Sequence, residues 1–169
     1  MIRASIAPAP VARPQIPAPA APKSAAVVTT AVPVVMVPRG ATRLMLTPNA
    51  FSIDAQNGDP FAKLEAKAQF KTSDELGWVA QYCGESEQQL SVPFMVRITG
   101  GPASQPVDMA TPMEEVAPDR IQASPGCYLM RGAIPLDDLT AGKYTLHLMI
   151  DDPIVKSDTY ELKQEFAIE

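Results

Sequence analysis

Few side chains in this sequence are of types that do chemistry, and they are thinly spread. His147 is the only histidine, and Cys83 and Cys127 are the only cysteines, 44 positions apart. One imidazole has no second histidine to share a metal with, and no Gly-x-Ser-x-Gly elbow accompanies it, so neither a histidine metal site nor a nucleophile–histidine triad is expected. In its segment His147 alternates with Leu146 and Leu148, which turns it outward beside Thr145 and Met149, as a surface or interface residue. Neither cysteine has a Cys-x-x-Cys neighbour, which argues against thiol oxidoreductase chemistry. The pair reads equally as two buried thiols or as a disulfide between sheets, because the redox compartment decides between them.

Carboxylates cluster at Asp54/Asp59, Glu85/Glu87, Glu114/Glu115, Asp137/Asp138 and Asp151/Asp152. Asp151 and Asp152 together with Asp158 could suit Ca²⁺, yet the spacing fits no EF-hand loop. Solvated turns that discourage edge-to-edge aggregation are the plainer reading. No carboxylate pair stands out for glycoside hydrolysis, and there is no Gly-rich phosphate loop. The residues therefore point away from an enzyme, and neither cofactor nor metal is expected. Trp78, the only tryptophan, fits a core position, with an exposed interface anchor as the alternative.

The elements that carry these residues divide the 169-residue chain near Gly40. Eight of its 18 prolines lie in the first 40 residues, together with Arg3, Arg13, Lys23 and Arg39 and no acidic residue. Segment 1–40 thus carries +4, leaving −9 for residues 41–169. Stretches such as Ala7-Pro8-Ala9-Pro10 favour polyproline II and cannot propagate a helix. The segment reads as an extended proline-rich basic arm, a linker or else a docking arm laid along a partner. Within it, residues 27–37 are rich in β-branched types and include Val34, Val35 and Val37. They read as an extended strand that Pro33 places at a sheet edge or on another chain. The longest charge-free run, Ser24 to Pro38, has 15 residues, short of the roughly 20 that span a bilayer. Residues 1–22 offer no apolar core, so no standard export signal is expected. The net charge of −5 argues against nucleic acid as a partner.

From residue 42 onward the dominant period is two. Leu64, Ala66, Ala68 and Phe70 alternate with polar residues and predict a strand over 63–70 rather than a helix, around which the lysines would scatter. Leu90, Val92, Phe94, Val96 and Ile98 share a face of a second strand, where Pro93 suggests an edge or a bulge. Tyr144, Leu146, Leu148 and Ile150 give the clearest strand, and Tyr160, Leu162, Phe166 and Ile168 give the last. Weaker strands are expected at 43–47, 51–54, 77–83 and 127–134, and a helical turn at 113–116. Seven or eight short strands between turn signals predict an all-β antiparallel sandwich over 41–169.

One stretch sharpens that expectation. Leu139-Thr140-Ala141-Gly142-Lys143-Tyr144 resembles the tyrosine corner of immunoglobulin-like and fibronectin-like domains of bacterial type, over residues 136–168 only. The resemblance implies an immunoglobulin-like β-sandwich whose Tyr144 hydroxyl bonds back to the preceding turn. Neither Trp78 nor the cysteines sit at antibody spacing. The expected function is that of a non-enzymatic accessory subunit. It would dock on other protein subunits of a larger complex, such as a photosynthetic or respiratory membrane complex, with possible peripheral membrane contact. The alternative is a solitary extracytoplasmic module that binds carbohydrate or peptide. The fold and the cysteines favour a periplasmic or membrane-peripheral location, against the missing export signal.

Overall fold

A computed structural model describes residues 39–84 and 91–169. The expected strand at 27–37, most of the arm, and Glu85 and Glu87 lie outside the described residues. Among the described residues ten strands form two sheets. They are β1 (Gly40–Thr47), β2 (Gln69–Phe70), β3 (Glu75–Cys83), β4 (Val92–Gly100), β5 (Val107–Ala110), β6 (Glu114–Val116), β7 (Asp119–Arg120), β8 (Cys127–Pro135), β9 (Gly142–Asp151) and β10 (Thr159–Ile168). One sheet runs β1-β3-β8-β7; the other runs β2-β10-β9-β4-β5, with β6 also beside β4. Every pairing is antiparallel except the two-residue match of β2 with β10. Among the described residues no helix is long and apolar enough to cross a membrane.

Period-two burial builds the main core between the sheets. Leu76, Trp78, Ala80 and Tyr82 of β3 meet Phe94, Val96 and Ile98 of β4, Leu146, Leu148 and Ile150 of β9, and Phe166 of β10. Trp78 takes the core position, 2% exposed, its ring 5.5 Å from Phe94. Gly132 of β8 leaves room for it, since a Cβ there would stand 2.6 Å from the indole. We expect Gly132→Ala to destabilise the fold by about 1–3 kcal/mol, the usual cost of overpacking, with a matching change in Trp78 fluorescence during urea unfolding.

A second apolar cluster covers the outer face of the β1-β3-β8-β7 sheet. It joins Val79, Cys83, Cys127 and Leu129 to Ala50, Ala55, Phe61 and Ile121. The cover is the connection from β1 to β2, which overturns two expected strands. Residues 51–54 instead enter a 3-10 turn at Ala50–Ser52. Residues 63–70 open with a 3-10 turn at Pro60–Lys63 and become strand only at Gln69–Phe70. Pro60 stands at the first helical position and the Asp59 carboxylate accepts from the Phe61 N–H at 3.0 Å, a local start signal that outweighs the alternation downstream. Arg43 then pairs with Asp59 at 3.2 Å and lies 4.2 Å over the Phe61 ring.

Two further expectations need correction. Pro93 does not mark an edge, because β4 runs between β9 and β5/β6. Its pairing with β9 begins only at Phe94, so Pro93 sits at the start of the strand, where no ladder N–H to β9 is needed. Residues 114–116 form strand β6 against Val92–Phe94 instead of a helical turn.

Candidate functional site

The two cysteines are joined, and the bond runs within a sheet instead of between sheets. Cys83 and Cys127 are register partners at the ends of β3 and β8, which brings their side chains together on the covered face. The residues that carry the tyrosine-corner resemblance also fall together. Leu139 is buried, Gly142 opens β9, and the Tyr144 hydroxyl donates to the Thr140 carbonyl at 2.7 Å.

Arg39 and Asp152 are placed differently from their sequence reading. Asp152 is no solvated turn residue: it is buried, 1% exposed, in the β9–β10 turn. Its Oδ1 accepts from the Ile154 and Val155 N–H groups at 2.8 Å each. Its Oδ2 accepts from Arg39 Nη2 at 3.1 Å and from the Tyr160 hydroxyl at 3.4 Å. Arg39, grouped above with the arm, is thus tied to the body. Gly40 makes the approach possible: its φ is +100°, and a Cβ would collide with the Tyr160 ring at 2.4 Å. Burial alone would push the Asp152 carboxyl up. The Val155 and Ile154 N–H groups, the nearby Tyr82 hydroxyl and the Arg39 charge outweigh it and hold the carboxyl below the ordinary aspartate range. The Tyr82 hydroxyl is buried beside Asp152, and burial together with the Asp152 charge pushes that phenol well above the usual tyrosine value. The other expected arm residues, Arg3, Arg13, Lys23, Val34, Val35 and Val37, lie outside the described residues.

A polar array occupies the outer face of the other sheet. Strand alternation turns Thr99 of β4, His147 of β9 and Glu161 of β10 to that side. His147 Nδ1 lies 2.9 Å from Glu161 Oε1, and His147 Nε2 lies 2.9 Å from Thr99 Oγ1. A carboxylate only accepts, so the neutral imidazole carries its proton on Nδ1 and takes the Thr99 hydroxyl proton at Nε2. The bond from His147, followed by the Lys163 ammonium at 3.1 Å, keeps the Glu161 carboxyl below its usual range. Arg97, the register partner of His147, is held by Asp108 through a fork of 2.7 and 2.6 Å. A cavity of about 630 Å³ lies towards the β2 side of this sheet, lined by Gln69, Lys143, Thr145, Gln164 and Glu165 among others and by none of Thr99, His147 and Glu161. Thr145 is the cross-strand partner of Thr99, and Glu165 that of Thr145. Sequence reading missed Thr99 and Glu161 because they lie 48 and 14 positions from His147, and only the strand register brings them together.

No protein-family model and no curated protein matches the chain. Among solved structures, a β-glucosidase from Listeria innocua in complex with glucose aligns at 8% identity and a TM-score of 0.35. The alignment covers 60% of this chain and 15% of that enzyme, and it carries no argument about fold or function.

Proposed function

We propose that this chain is a non-enzymatic accessory subunit: an immunoglobulin-like sandwich that docks on a larger protein assembly through a proline-rich arm. The observation that carries the reading is the Arg39–Asp152 contact. A buried carboxylate, held by five hydrogen bonds from four residues, grips the first residue after Pro38. A plain linker needs no fixed root, whereas a docking arm gains from one, because a set direction of departure lowers the entropy lost on binding. The +4 of residues 1–40 against the −9 of the rest suits an acidic partner surface, and the exposed Phe51 offers an apolar contact on the body. The Tyr144–Thr140 hydrogen bond supports the immunoglobulin-like assignment. The disulfide supports an oxidising, extracytoplasmic setting, and a bacterial membrane complex would be a fitting host.

The test is purification of the untagged protein from its native source. We expect it to co-purify with a defined complex and to lose that association when residues 1–38 are removed, which leaves Arg39 in place. A free monomer whose behaviour ignores the deletion would overturn the reading. The cavity beside Thr145 favours the second reading, a solitary extracytoplasmic module that binds carbohydrate or peptide.

A further inference from the structure

We propose that Thr99 is a nucleophilic modification site that accepts an acyl group from activated esters or thioesters. The proposal stands apart from docking, because it concerns a different face of the body and a single covalent event. Its ground is the order of atoms across β4, β9 and β10: hydroxyl, imidazole, carboxylate, each 2.9 Å from the next. A nucleophile within reach of a base that a third group orients is the general signature of an activated hydroxyl.

Each member is set by something else in the sheet. Register fixes the three backbones: Arg97 opposite His147, Thr99 opposite Thr145, and Lys163 opposite His147 on the far side. Glu161 is steadied by Lys163 as well as by the imidazole, so it stays a carboxylate and holds the Nδ1 proton. The imidazole side chain is 15% exposed, shielded enough to keep its tautomer yet open to solvent on the outer side. Thr145, the cross-strand partner of Thr99, borders a cavity that extends over β10 towards β2.

In the reaction, Thr99 Oγ attacks the acyl carbon and forms a new ester bond. Its proton passes to His147 Nε2 and from there to the leaving alkoxide, phenolate or thiolate as the old acyl bond breaks. No oxidant or metal is required. The backbone N–H groups of interior strands are committed to the ladders and Arg97 is held by Asp108, so among the described residues no donor is set for the developing oxyanion. The acyl group is therefore installed once and leaves slowly. A single acylation event, without turnover, is the expected outcome.

The full chain is incubated with p-nitrophenyl acetate, while p-nitrophenolate release and intact mass are followed. We expect one acetyl group per chain, removable by hydroxylamine as an ester is, and placed on Thr99 by fragmentation of the peptide spanning 98–120. Thr99→Val should abolish that ester, and His147→Gln should slow it by about 100-fold, the lower range of general-base assistance. Both positions are on the outer face, and matching urea melts establish that the variants fold. Acetylation confined to lysine amines, or a Thr99 ester forming equally fast in His147→Gln, would overturn the proposal.

Discussion

Replacing Asp152 with alanine is expected to lower the unfolding free energy by about 3 kcal/mol at pH 7, measured by urea denaturation. The change strips the acceptor from the Ile154 and Val155 N–H groups and leaves Arg39 without its counter-charge. A buried donor left unmet costs about 1–3 kcal/mol; these two are part-buried and share one turn, and the lost ion pair adds to them, so the sum falls near 3. Asp152→Asn keeps one acceptor oxygen for the turn and should cost about half as much, which separates the turn's share from the ion pair's. The acid limb has a definite sign. The folded carboxyl titrates below its unfolded value, so its contribution is complete above about pH 4 and fades as pH falls through the lower, folded value. Wild type should therefore lose stability relative to Asp152→Asn as pH drops from 4 towards 2. Parallel curves for the two proteins would show that Asp152 is not held as described.

Loss of the disulfide should be the larger effect. A cross-link spanning 44 positions lowers the entropy of the unfolded chain by the equivalent of about 4 kcal/mol in the loop-closure treatment. Cys83→Ala/Cys127→Ala should move the urea midpoint by at least a corresponding amount, and wild type unfolded under a reducing agent should shift in the same direction by somewhat less. Both sulfur atoms sit in the cover cluster, so the double variant also trims apolar contact there. A shift under 1 kcal/mol would mean that the reduced, unfolded chain already keeps β3 and β8 near each other.

The sequence was legible where a single physical rule governed a stretch. Strands β9 and β10 follow strict alternation, with Tyr144, Leu146, Leu148 and Ile150 buried as expected. The stretch 63–70 shows the limit. Its alternation is as clean, but Asp59 and Pro60 start a turn just upstream, and Leu64 packs into the cover cluster rather than the main core. Pattern alone does not reveal a second apolar layer on the far side of a sheet. β3 carries the trace of that layer: its run from Leu76 to Ala80 is buried throughout, with no polar face. The candidate site was legible only at His147, whose outward direction follows from its neighbours. Thr99 and Glu161 depend on which strands adjoin β9, and no local signal encodes that. Asp152 looked like one more turn carboxylate, because burial of a turn depends on what packs over it.

The cover formed by residues 48–68 also bears on solubility. Beside the buried Ala50, Ala55 and Phe61, it is attached by bonds that include Arg131 Nη1 to the Ile53 carbonyl at 2.9 Å, Gln122 N–H to the Ala55 carbonyl at 3.2 Å, the Arg43–Asp59 pair, and Lys67 N–H to the Leu46 carbonyl at 2.9 Å. None of these belongs to a strand ladder. We expect residues 48–64, which lie outside every ladder, to open before the sheets separate, seen as faster amide exchange there than in β3 and β8. Such an opening uncovers Val79, Leu129 and Ile121 as a contiguous apolar patch. Self-association would then start from a nearly native molecule, and its rate would be governed by how firmly one loop is fastened.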